Sequence, residues 1–147
     1  MAAVTEMTAR TAARKRIARV VVAYDDSAGA RVALAQAVAL LKVLPDAKLT
    51  VIAIDEPAVG ADEADDLPHG RDWIKVADEY AQQHGTQLTA DVRTGHAAGQ
   101  ILIAARAAHA DLLVIGHGRH PELHNRVLGS TAEHVVRHAF CSVLVAH

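Results

Sequence analysis

Five short strand-like runs, each parted from the next by a stretch of helical character, constrain this chain more than any other feature. The first, Ile17-Ala-Arg-Val-Val-Val-Ala-Tyr24, is rich in β-branched residues and continuous rather than alternating, the pattern of a strand buried on both faces. Lys48–Ile54 is the second strand, Asp111–Gly116 a fourth, buried one, and Ser142–Ala146 supplies a last strand. Thr86–Val92, rich in Thr and Val with rough alternation, reads as the third strand. Helical patterns fill the gaps. Ser27 is a good N-cap for the apolar run Ala28–Leu44, which Pro45 stops. Only Arg31, Gln36 and Lys42 interrupt that run, so a largely covered helix is expected. Trp73, Val76, Ala77, Tyr80 and Ala81 recur at helical spacing, which predicts a core face, and Gly85 closes that helix. Gly95–His109 carries an Ala/Ile/Leu face, and a last helix runs from Ser130 to about Ala139. The order β-α-β-α-β-α-β-α-β predicts an α/β fold with a parallel sheet, right-handed crossovers and helices on both faces. Ligands of such sheets bind beyond the carboxyl ends of the strands, where the winding reverses.

A chain of 147 residues suits one domain, and 51% hydrophobic content is ample for its core. With aromatics at 3%, that core consists of small aliphatics, which favour close helix-on-sheet packing. A formal net charge of −2 argues against a nucleic-acid binder. No apolar run reaches membrane-spanning length. Met1–Arg16 lacks the apolar centre of a secretory signal, and Glu6 counts against an Arg-rich transit peptide. Residues 1–16 are therefore expected to be a disordered tail, with the domain over 17–147. The single Cys141 cannot form an internal disulfide, fits a reducing compartment and is expected to be inert packing. Pro57–Gly70 is acidic and rich in loop formers, so it reads as a surface loop.

Three strand ends carry groups able to hold a ligand. The first ends at Asp25, the second near Ala53 and Asp55, and the fourth at Gly116-His-Gly-Arg-His120. Gly129 then precedes Ser130 at a helix start. Glycines let a backbone approach a phosphate, and a helix N-terminus offers free N–H groups and a positive dipole end. Ser130-Thr-Ala-Glu133 equally fits a capping box, which would occupy Ser130 without any ligand. Ser27 and Ser130 have no histidine at an activating spacing and no P-loop lysine follows the glycines, so no enzyme is expected. Ten histidines raise a metal reading, with His117, His120 and His124 in one loop and His134 and His138 four apart on a helix. Without a cysteine partner or an H-E-x-x-H pattern, they are expected to be surface groups with no metal.

Val22-Ala-Tyr-Asp25-Asp-Ser27, Asp111-Leu-Leu-Val-Ile-Gly116, Val127-Leu-Gly-Ser130-Thr-Ala-Glu133-His-Val-Val-Arg-His138-Ala and Cys141-Ser-Val-Leu-Val145 together resemble the universal stress protein family, over about residues 17 to 146. The resemblance implies a Rossmann-like, five-stranded parallel sheet of order 3-2-1-4-5. It also implies a cytoplasmic homodimer paired through the last strand. One branch of that family binds ATP or AMP and the other binds no nucleotide and acts through protein partners. The binding branch carries G-x-x-G, nine residues, then G-S or G-T. Gly116 fits the first position and Gly129-Ser130 the last, but Arg119 stands at the second glycine, with Gly118 one place early. Either Arg119 takes the special conformation at a cost or Gly118 takes it instead, and Arg119 either grips a phosphate or blocks its space. By that pattern Ala23, Tyr24, Asp25 and the backbone of Ala53 lie near base and ribose. Ile115, Gly116, Gly118, Arg119, Gly129, Ser130 and Thr131 lie near the phosphates. No nucleic-acid or membrane partner is expected.

Overall fold

The β-branched run at the start becomes β1 (Arg19–Ala23), with Val20, Val21 and Val22 all essentially inaccessible to solvent. The computed structural model describes residues 16–57, 68–118 and 128–147. The remaining elements follow in alternation: α1 (Ala28–Leu41), β2 (Lys48–Asp55), α2 (Gly70–Gln83), β3 (Leu88–Thr94), α3 (Ala97–Ala107), β4 (Leu112–Gly116), α4 (Ser130–His138) and β5 (Ser142–Ala146). All strand pairs are parallel, and the sheet order is β3-β2-β1-β4-β5. At the centre Val22 stands between Val51 and Val114. Chain direction reverses its winding at β1/β4, which opens a crevice at the carboxyl edge.

Period-two alternation sends the side chains of β1, β2, β4 and β5 into two separate cores. Val20 and Val22 join Ala33, Leu34, Ala37 and Ala77 under α1 and α2. Val21, Ile52 and Leu113 join Ile101, Ala104 and Val135 under α3 and α4. Truncating the fully buried Leu113 to alanine would cost about 2–5 kcal/mol through lost burial and the void left behind.

Several boundaries differ from the sequence reading, each for a physical reason. β1 starts at Arg19 rather than Ile17, because one carboxylate oxygen of Asp111 accepts the N–H groups of Ala18 and Arg19 at 3.0 and 2.9 Å. α1 ends at Leu41 rather than Leu44. The N–H groups of Val43 and Leu44 bond three residues back, to Leu40 and Leu41, so the last turn tightens before Pro45. α1 buries one face only, at Ala30, Ala33, Leu34, Ala37 and Val38, while Val32 is exposed, as is Val43 beyond the helix end. α2 ends in a Schellman motif, with Gly85 at φ 71°, Thr86 N–H bonded to Ala81 and Gly85 N–H bonded to Gln82. Thr86 thus belongs to the helix cap, and β3 begins two residues later than expected. Trp73 and Tyr80 are only partly buried and Val76 is exposed, because α2 lies towards the sheet's β3 edge. The expected tail, apart from Arg16, falls outside the described residues, as does most of the acidic loop. Among the described residues no helix is long and apolar enough to cross a membrane.

Candidate functional site

The turn that leaves β1 is held by side chains. Tyr24 N–H donates to the Ile52 carbonyl at 2.8 Å, extending the sheet by one bond. Asp26 then takes a positive φ of 57°, a conformation aspartate tolerates better than most residues. Three donors fix its carboxylate: Tyr24 Oη at 2.7 Å, and Arg31 Nε and Nη2 at 2.9 and 3.1 Å. The Arg31 hydrogen bonds, seconded by that from Tyr24, hold the Asp26 carboxyl below its ordinary range. Burial and then the bond to Asp26 push the Tyr24 phenol well above its ordinary value, so it stays a donor. With Asp26 pinned, Asp25 Oδ1 accepts the Ser27 N–H at 3.1 Å, and Ser27 Oγ caps α1 by accepting the Ala30 N–H at 3.2 Å.

The second half of the site is a glycine pinch after β4. Gly116 packs so closely on α1 that a Cβ there would come within 2.6 Å of the Gly29 backbone. Gly118 has φ 148°, a region L-residues rarely adopt, and its Cβ would meet Gly129 Cα at 3.1 Å. Gly129 N–H donates to the His117 carbonyl at 2.8 Å, which draws the start of α4 onto the end of β4. Gly129 is the N-cap and supplies no side-chain cap. Ser130 is therefore the first helical residue, not the cap, and the capping-box reading does not hold. Glu133 instead pairs with Arg137 at 2.9 Å, four residues on. The first intrahelical bond runs from Glu133 N–H to the Gly129 carbonyl, so the N–H groups of Ser130, Thr131 and Ala132 precede the helical ladder.

These two halves face one cleft of about 610 Å³ at the carboxyl edge of the sheet. It gathers Ala23, Tyr24, Asp25, Ile115, Gly116, Gly118, Gly129, Ser130 and Thr131. Ala53 is fully buried and does not border it, since its neighbours Ile52 and Ile54 take the cleft side. Arg119 lies outside the described residues, with His120 and His124. Asp55 acts as an anchor, accepting the N–H of Gly70 at 2.6 Å. His134 and His138 stack at 4.2 Å on the exposed side of α4, away from the cleft. Among the described residues no group of three or more His, Cys, Asp or Glu could hold a metal ion.

Sequence reasoning missed the apolar part of the cleft, Ile52, Ile54 and Ile101, and its aromatic border, His69 and Trp73. Gly29, in the first turn of α1, also borders the cleft and lies against the Gly116–Gly118 backbone. The N-termini of α1 and α4 both contribute to the cleft, through Gly29 and Ala30 and through Ser130 and Thr131. Their positive dipole ends suit an anion.

Fold and cleft together define a doubly wound α/β protein with its crevice at the sheet's reversal point. The chain belongs to the Universal stress protein family, which it matches over residues 16–147. It is 33% identical to a universal stress protein of Methanocaldococcus jannaschii over 76 residues, 52% of this chain and 45% of that one. Such matches span about half the length of the curated relatives. Among solved structures, a universal stress protein in complex with cAMP superposes with a TM-score of 0.70 at 24% identity, covering 88% of this chain and 97% of that one. The universal stress protein of Archaeoglobus fulgidus in complex with dAMP gives 0.69 at 20% identity, covering 90% and 100%. At those identities the likeness is one of fold.

Proposed function

We propose that this chain is a stress-response protein that binds an adenine nucleotide, of the ATP or AMP type, in the cleft at the carboxyl edge. It acts in the cytoplasm as a nucleotide-dependent dimeric regulator and not as an enzyme, with its domain over 17–147. The observation that carries the reading is the pinch of Gly116, Gly118 and Gly129, which brings the unpaired N–H groups of α4 and the Ser130 hydroxyl to one end of the cleft. Backbone N–H groups at a helix N-terminus bind phosphate without needing a lysine. In this reading Gly116, Gly118, Ser130 and Thr131 hold the phosphate, and Asp25 lies by the ribose. Relatives of the same fold are complexes with cAMP and dAMP, which supports an adenine base.

Heat denaturation of purified protein, followed by chromatography of the supernatant, is expected to release an adenine nucleotide in a fixed ratio to protein. Calorimetry on nucleotide-free protein should then return saturable binding of ATP or AMP. No released nucleotide together with flat titrations of ATP, ADP, AMP and cyclic AMP would sink the reading.

A further inference from the structure

The cleft has an aromatic border that a phosphate does not need. Trp73, the chain's single tryptophan, lies in the first turn of α2. Part of its side chain packs against the core under α1 and part borders the cleft. The His69 ring, also on the cleft, sits 5.9 Å away and is tilted by 32°. Both rings are held in place from the sheet. Asp55, the last residue of β2, accepts the Gly70 N–H at 2.6 Å through its carboxylate and the Gly95 N–H at 3.0 Å through its carbonyl. Trp73 N–H donates to the His69 carbonyl at 3.0 Å, so one turn of helix carries both rings.

This border stands at the β2 side of the cleft, whereas the glycine pinch stands at the β4 side. Both strands flank β1, so their ends are separated by two strand spacings, roughly 10 Å. Ile52, Ile54 and Ile101 also line the cleft and make part of its wall apolar. A ligand that reaches both ends needs an anionic group at one and a flat, largely apolar ring at the other. An indole offers a planar π surface that stacks on a heterocycle of any sequence identity.

We infer that Trp73, with His69 beside it, is the wall that contacts the planar base of the bound nucleotide. This rests on the nucleotide reading above and adds the residue that selects a base-bearing ligand over a bare sugar phosphate. Because Trp73 is the only tryptophan, its fluorescence reports the contact without any substitution. AMP titrated into the nucleotide-free wild-type protein is expected to change Trp73 emission with the same midpoint as calorimetric binding. Ribose 5-phosphate at the same concentrations is expected to leave the emission unchanged. Trp73→Leu should weaken AMP binding roughly tenfold, the order of one base-stacking contact, and Trp73→Phe should restore most of it. Calorimetric AMP binding with unchanged emission, or Trp73→Leu binding as well as wild type, would overturn the inference while the nucleotide reading stands. If AMP and its relatives give neither heat nor an emission change, both fall together.

Discussion

Asp26 is the residue on which the turn between β1 and α1 depends, and its chemistry makes a pH prediction. Its carboxyl is held below the ordinary range by Arg31 and then by Tyr24. A carboxyl lowered in the folded state stabilises the fold at pH above its unfolded value, about 3.9, and that contribution is lost as pH falls through the folded value. Asp26→Asn keeps the size and the tolerance for positive φ but removes the charge. The stability gap between wild type and Asp26→Asn is therefore expected to be present at neutral pH and to close below about pH 4. Urea unfolding repeated from pH 7 to pH 3 measures it; a gap that stays constant would refute the assignment. Gly118→Ala acts differently, through strain. At φ 148°, with Gly129 Cα 3.1 Å from the new methyl, it should cost about 1–3 kcal/mol in urea unfolding and weaken nucleotide binding. The sequence left two places open for the unusual conformation, Gly118 and Arg119, and Gly118 takes it at φ 148°. The role of Asp26 was not legible there, because nothing in the letters Asp25-Asp26 says which of the two turns left-handed.

At the scale of elements, two serines in similar settings part company. Both stand at a helix start with apolar residues after them. Ser27 is a true N-cap, with its Oγ on the Ala30 N–H, whereas Ser130 is one residue inside α4 and caps nothing. Ser27→Ala is expected to lower stability by about 1 kcal/mol, and Ser130→Ala to change it by less than about 0.5 kcal/mol while weakening nucleotide binding. Thermal melts of the two variants, beside calorimetry, separate the roles; an equal loss of stability would restore the capping box. The capping pattern in the sequence could not distinguish these cases, since a shift of one residue moves a hydroxyl from cap to cleft. Strand identities were far easier to read. β1, β2 and β4 are buried on both faces, and burial on both faces selects continuous β-branched runs. Trp73 shows the limit of periodicity: helical spacing puts it on the inward side of α2, but cannot say that this side overhangs the sheet edge and meets a cleft.

For the whole molecule, alternation of strand and helix was enough to require a parallel, doubly wound sheet, but not to order its strands. The order came from the family resemblance, and the burial pattern explains it. Strands at the centre are buried along most of their length, whereas β3 exposes Thr89, Ala90, Val92 and Thr94 and β5 exposes Ser142. The two edges are not equivalent. β3 carries Asp91 and Arg93, paired at 3.0 Å, and charged side chains discourage a further strand from joining. β5 carries none; Val143, Leu144 and Val145 are each partly exposed, and Phe140, just ahead of it, is exposed. An uncharged apolar edge is the one expected to pair, which is the physical case for the proposed homodimer through β5. Light scattering on the full chain at micromolar concentration should give twice the chain mass. Val143→Lys should give the chain mass with its far-UV spectrum retained, because the lysine stem can lie along the apolar surface while its ammonium blocks a partner strand. A wild-type monomer, or a Val143→Lys variant that remains dimeric, would move the association away from β5 and leave that edge to be protected some other way.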